Sequence, residues 1–179
     1  MSERAALARD VDAASRVSGE FTLRSGQVVS EYFDKYQFES DPALLRRVAE
    51  QLRPLVPEGT DLLGGLELGG IPIVTVLSSL TGLPAVFVRK EAKTYGTCRL
   101  AEGADVSGRR VTLVEDVITT GGAVRDAARE LRARGATVEV VLCAIDRSPE
   151  PGQALRDVGL ETRYVFARSD LDAARGVAG

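Results

Sequence analysis

Apolar positions along this chain switch repeatedly between two spacings, and the switching outlines a fold. Leu7, Val11 and Ala14 recur at helical spacing, which predicts an amphipathic helix over residues 3–18. Residues 21–42, FTLRSGQVVSEYFDKYQFESDP, then keep neither period and are rich in turn formers and aromatics. Asp41 suits an N-cap and Pro42 the first helical position, so a helix is expected from there to about Arg53. DLLGGL (61–66) reads as a short buried strand ending in glycines, and Pro72 opens a helix over 72–81. AVFVR (85–89) reads as a strand, whereas 90–107 carry no apolar period and read as a mobile loop. RVTLVEDVI (110–118) contains a strong strand. The helix expected over 122–134 aligns Val124, Ala127, Ala128 and Leu131 and stops at Gly135. ATVEVVLCAI (136–145) is a nearly continuous apolar strand; a short helix near 152–158, a strand over 162–167 and a helix over 169–176 follow.

Strands alternating with helices imply an α/β fold, a mostly parallel sheet covered on both faces. The 179 residues are expected to form one domain with a real core. Segment 19–40 is too long for a simple connection and is expected to cap the sheet.

Composition changes this picture mainly by exclusion. There is no histidine, so a His-dependent triad or a zinc-water hydrolase is ruled out. The two cysteines, Cys98 and Cys143, form neither a disulfide framework nor a zinc pattern and suit a reducing cytoplasm. A net charge of -3 gives no reason to expect nucleic acid as a partner. No apolar run approaches the ~20 residues of a membrane helix, and the charged N-terminus does not read as a signal peptide.

Chemistry concentrates in five segments. In VTLVEDVITTGGAV (111–124) a strand ends in Glu115 and Asp116, and Thr119-Thr120-Gly121-Gly122 then opens a helix. Small residues at a helix N-terminus let an anion approach the amides. Adjacent acids would repel that anion unless they accept bonds from a sugar diol, so the pattern suggests a ribose 5-phosphate site. A capped strand–helix turn with two solvated acids is the plainer reading. RKEAKTYGTCRLAEG (89–103) gathers Arg89, Lys90, Lys93 and Arg99 on a loop suited to close over a polyanion, or merely kept soluble by its charges. GGLELGGIP (64–72) offers a second anion-receptive turn, or a plain βα turn. In FTLRSGQVVSEYFD (21–34), Tyr32 and Phe33 could stack on a planar base and Arg24 could pair with an anion, unless the aromatics only pack the cap. Arg147 could clamp a carboxylate, or pair with Asp146 at the surface. Neither a dinucleotide fingerprint nor a P-loop can be written in this chain.

Together these segments resemble the type I phosphoribosyltransferases. VEDVITTGG is similar to that family's phosphoribosyl pyrophosphate motif. The order FTLRSG, YF, GGIP, RKEAK with YG, VEDVITTGG and DR, spanning about residues 20 to 150, resembles the orotate-specific branch in particular. The resemblance implies the family's fold, a central mostly parallel sheet flanked by helices, with about residues 1–40 contributing a small hood. It implies that Glu115 and Asp116 hold the ribose hydroxyls and that Thr119–Ala123 bind the 5-phosphate, in a site also including Val117 and Ile118. Arg89, Lys90 and Lys93 would contact pyrophosphate, with Tyr95 beside them in the catalytic loop. Arg24, Tyr32, Phe33, Thr119 and Arg147 would hold orotate. Mg²⁺ would bridge substrate oxygens with few direct protein ligands. A cytoplasmic homodimer sharing the 90–103 loop across its interface is also implied. The chain departs from the family at two positions, with Arg24 where Lys is usual and Tyr95 where His is usual. Two other readings keep this scaffold: a salvage enzyme acting on a purine or uracil, and a non-catalytic nucleotide-binding regulator. A third is a plain α/β interaction module.

Overall fold

The computed structural model describes residues 2–22, 25–90 and 100–176, so Arg24, Lys93 and Tyr95 lie outside the described residues. Helix α1 (Glu3–Ser15) starts on Ser2, whose side chain accepts the Ala5 amide. It stops three residues short of the predicted end because Arg16 and Val17 enter a strand. Strands β1 (Arg16–Thr22) and β2 (Val28–Phe33) form an antiparallel hairpin, and α2 (Tyr36–Ser40) follows. The described part of the segment read as irregular therefore holds regular elements. Its residues are mostly exposed or half-buried, and a register shift between Ser18 and Phe21 breaks the alternation, so no period of two was visible.

α3 (Pro42–Leu52) begins as expected, with the Asp41 carboxylate accepting the Ala43 and Leu44 amides at 2.8 and 3.1 Å. β3 (Leu62–Leu66), α4 (Gly70–Thr81) and β4 (Ala85–Val88) come next. α4 starts two residues before Pro72, which lies in the first turn, where its missing N–H costs nothing. Part of the expected loop is β5 (Ala101–Gly103), too short to show a period. β6 (Val111–Ile118), α5 (Gly122–Ala133), β7 (Val140–Asp146), β8 (Glu161–Ala167) and α6 (Arg168–Ala174) complete the fold. β7 begins later than its apolar run, since Thr137 only bridges to Arg110. The short helix expected near 152–158 contracts to a single 3-10 turn, Arg156–Val158.

The six-stranded sheet runs β5-β4-β3-β6-β7-β8, with only β5 antiparallel. Its central strands are buried on both faces, as parallel strands must be. Leu113 and Cys143 join a core with Val124, Ala128 and Leu131 of α5. Val114, Leu142 and Ala144 join the opposite core, with α1, α3, α4 and Phe38. The chain leaves β3 toward β4 and leaves β6 toward β7, so a crevice opens between β3 and β6 at their carboxyl ends.

Leu113 is wholly buried at the centre of this layering. Leu113→Ala is expected to cost about 2–5 kcal/mol in a denaturant titration, with the m-value unchanged. A loss under about 1 kcal/mol would contradict the packing described.

Candidate active site

The sequence-predicted residues that are described, Arg24, Lys93 and Tyr95 lying outside them, gather near the carboxyl ends of β4, β3, β6 and β7. After β6, Thr119 and Thr120 are exposed and lead to Gly121, which caps α5 at φ 74° with no side-chain cap bond. A side chain at Gly121 would require a left-handed backbone, and its Cβ would stand 2.6 Å from Leu155. The first amides of α5 are thus left to solvent or to an anion, and no acid occupies its first turn. Ile118 turns its side chain into the core, while its carbonyl accepts the Arg147 amide at 2.7 Å.

The twin acids lie deeper than the turn. Glu115 is 8% exposed and Asp116 is wholly buried. Glu115 accepts the Asp116 amide at 3.0 Å, and Asp116 accepts the Val117 amide at 2.5 Å through Oδ1. Asp116 Oδ2 pairs with Lys35 Nζ at 2.5 Å. A Cβ on Gly69 would fall 1.6 Å from that Oδ2, and one on Gly70 would meet the Val114 carbonyl at 2.4 Å. The Gly69-Gly70 turn is therefore small because it is packed on the acids. Burial favours the neutral form of Asp116, but its interactions with Glu115, Lys35 and Glu39 outweigh it and lower its pKa. Burial, then the charge of Asp116, pushes Glu115 up to about 8. Burial opposes the charge on Lys35, yet its bond to Asp116 raises the pKa.

Tyr32, Phe33, Lys35, Val117, Thr119 and Arg147 line one cavity of about 400 Å³. Arg147 lies over the Phe33 ring at 5.4 Å, and Phe21 packs against Tyr32 at 5.6 Å. Asp146 does not pair with Arg147. Its side chain turns inward and accepts the Ser148 amide and hydroxyl and the Gly152 amide at 2.9, 2.6 and 2.7 Å. Among the described residues Arg147 has no ion-pair partner, and burial together with Arg168 and Arg16 lowers its pKa. The guanidinium thus lies over one aromatic ring, in a cavity that Tyr32 also lines.

Arg89 and Lys90 line a second cavity, of about 500 Å³, together with Glu67 and Ala123 of the glycine-rich turn. Glu67 accepts the Lys90 amide at 2.5 Å. Lys35, Glu39 and Glu67 were not singled out in the sequence. Lys35 and Glu39 carry no local signal, because only the path from β2 into α3 brings them under β6.

Residues 36–157 match the family described as the phosphoribosyl transferase domain. An orotate phosphoribosyltransferase of Nocardioides sp. is 68% identical over 171 residues, covering 96% of each chain. An orotate phosphoribosyltransferase structure from Mycobacterium tuberculosis, in complex with Fe(III) dicitrate, superposes with a TM-score of 0.84 at 34% identity, covering 95% of this chain and 99% of that one. A structure of the Mycobacterium tuberculosis enzyme in complex with 5-phospho-alpha-D-ribosyl 1-diphosphate superposes at 0.79 and 31% identity, over 95% and 99% of the two chains.

The raised acids set a pH signature on stability. Burial, then Asp116, lifts Glu39 from 4.5 to about 9, and Glu115 moves likewise to about 8. Both bind protons more tightly when folded, so their contribution is full below pH 4.5 and falls as pH rises toward 9. Melting temperature is expected to decline across that window, and less steeply in Glu39→Gln. Parallel declines in the two proteins would contradict the assignment.

Proposed function

The chain belongs to the phosphoribosyltransferase family, and from that premise we propose a division of labour among the residues of the cleft. The reaction is transfer of the 5-phosphoribosyl group from phosphoribosyl pyrophosphate to orotate. It yields orotidine 5'-monophosphate and pyrophosphate in pyrimidine biosynthesis. In our reading the 5-phosphate rests on the amides and hydroxyls of Thr119–Ala123, at the positive end of α5. Glu115 and Asp116 receive the ribose hydroxyls. Pyrophosphate lies toward Arg89, Lys90 and the Gly69-Gly70 turn, with Lys93 and Tyr95 closing over it.

The observation that carries the choice of base is Arg147. It lacks a carboxylate partner among the described residues and shares its cavity with Tyr32, Phe33 and Thr119. A planar ring bearing a carboxylate suits that lining, by stacking and by a bidentate pair. Arg24 is proposed to add charge on the same side.

Orotate is a carboxylate at neutral pH with its ring N–H intact; as that nitrogen bonds to C1 its proton is released to the departing pyrophosphate or to water, in keeping with a chain that has no histidine. The C1–oxygen bond to pyrophosphate breaks with its electron pair leaving on oxygen. The oxocarbenium-like C1 must be kept from water, and the cations must meet the growing charge. Catalysis is then mostly positioning and charge neutralisation.

Mg²⁺ is the proposed cofactor, lending Lewis acidity to the leaving group. Asp116 is engaged by Lys35 and Glu115 by the Asp116 amide, so the ion suits pyrophosphate and ribose oxygens better than a protein cage. We also propose that the chain works as one domain with residues 1–40 as its hood. It would act in the cytoplasm, as a homodimer whose 90–103 loops reach the partner's cleft. No helix among the described residues is long and apolar enough to cross a membrane.

Turnover with phosphoribosyl pyrophosphate and Mg²⁺ is expected for orotate and not for adenine, hypoxanthine or uracil; preference for one of those controls would overturn the assignment of base. Arg147→Ala is expected to raise KM for orotate by about 10–100-fold, the worth of a charged hydrogen bond, with KM for phosphoribosyl pyrophosphate nearly unchanged. Lys93→Ala is expected to lower kcat at least ~10²-fold, and a near-normal rate would argue against the loop's role.

A further inference from the structure

A third carboxyl lies beneath the twin acids. Glu39, on α2, is 5% exposed, and neither of its oxygens meets a hydrogen-bond donor among the described residues. It lies close enough to Asp116 for the two carboxyls to interact. The charged groups that face it are Asp116 and Glu115 from β6 and Lys35 from the turn before α2. One lysine cannot neutralise three buried acids. Two carboxylates this close and out of water bind a proton between them, because the doubly ionised pair is too costly. Geometry decides which one holds it. Asp116 is already held as an anion, hydrogen-bonded to the Val117 amide at 2.5 Å and ion-paired with Lys35 at 2.5 Å. Glu39 has no such partners, so the proton belongs on Glu39.

We propose that Glu39 is a positioning residue of the ribose site: its neutral carboxyl donates a hydrogen bond to Asp116 and, with Lys35, sets the direction of the Asp116 carboxylate. The proposal rests on the reading of Asp116 as a ribose ligand. The shifts agree with it, since burial and Asp116 lift Glu39 to about 9 while Asp116 moves down. It also links two parts of the site. Lys35 lines the cavity with Tyr32 and Phe33, so the clamp on Asp116 is built from the segment that forms the wall of the base pocket. Loss of the Glu39 proton would set two anions against each other and turn Asp116 from its station.

The test is KM for phosphoribosyl pyrophosphate as a function of pH, in wild type, E39Q, E39A and D116N. Wild-type KM is expected to climb as pH approaches and passes about 9, where Glu39 ionises. E39Q keeps a donor that cannot ionise, so this part of the climb should vanish. Any rise from Glu115 is common to both proteins, and Lys35, raised from 10.5, titrates above the window. E39A is expected to raise KM for phosphoribosyl pyrophosphate about 10-fold at neutral pH, the loss of one hydrogen bond, with KM for orotate unchanged. E39A matching wild type, or E39Q retaining the full climb, overturns the proposal. D116N separates the two layers: unchanged KM in D116N removes the ribose reading and this proposal together. A raised KM in D116N with normal behaviour in the Glu39 variants removes this proposal alone. Should E39A not fold, the infrared difference between wild type and E39Q decides. The C=O band of a neutral carboxylic acid at neutral pH is expected, and its absence overturns the proposal.

Discussion

A carboxylate taken wholly out of water must be given a cation, a proton or amide donors, and Asp116 is given a cation and an amide. Its two oxygens are spoken for by Lys35 and the Val117 amide, and Glu39 lies close to it. Much of the surrounding architecture follows from that requirement. The turn after β3 must be glycine at Gly69 because the carboxylate fills the space a side chain would need. The hairpin segment must come back under β6, because no other residue pairs with that acid among the described residues. The site is therefore one packed unit, in which the segment after β2, the glycine turn and β6 meet at a single buried charge.

The sheet supplies the rest by topology. Departing in opposite directions, β3 and β6 leave a crevice at their carboxyl ends, with α4 and α5 packed on opposite faces of the sheet. Anion-receptive amides lie at the start of α5, a free arginine at the end of β7, and a basic pair at the end of β4. A substrate with a phosphate at one end, a pyrophosphate at the other and a diol between them matches that order of functions. The fold is shared with enzymes of many specificities, so the base is argued from Arg147 and its aromatic neighbours.

Much of this was legible in the residues alone. The helices at 42–52 and 122–133 announce themselves through Asp41, Pro42, a clean apolar face and Gly135. The acids before a Thr-Gly turn point to sugar phosphate because few other ligands reconcile two carboxylates with a phosphate nest. What could not be read is what depends on distance. The β1–β2 hairpin is solvated on most of its residues and bulged, so it carries no strand period. β5 is three residues long. Lys35 and Glu39 look like ordinary polar residues until α2 is laid against β6, some 80 positions later in the chain. Asp146 and Arg147 are neighbours that could have paired, and only the inward turn of Asp146 onto the Ser148 and Gly152 amides frees the arginine.

The most direct measurement is a crystal structure of this chain with phosphoribosyl pyrophosphate and Mg²⁺ bound. The 5-phosphate is expected on the amides of Thr119–Ala123 and the ribose diol within hydrogen-bond distance of Glu115 and Asp116. A ligand bound elsewhere, with that turn empty and both acids still closed away beneath it, would contradict that placement.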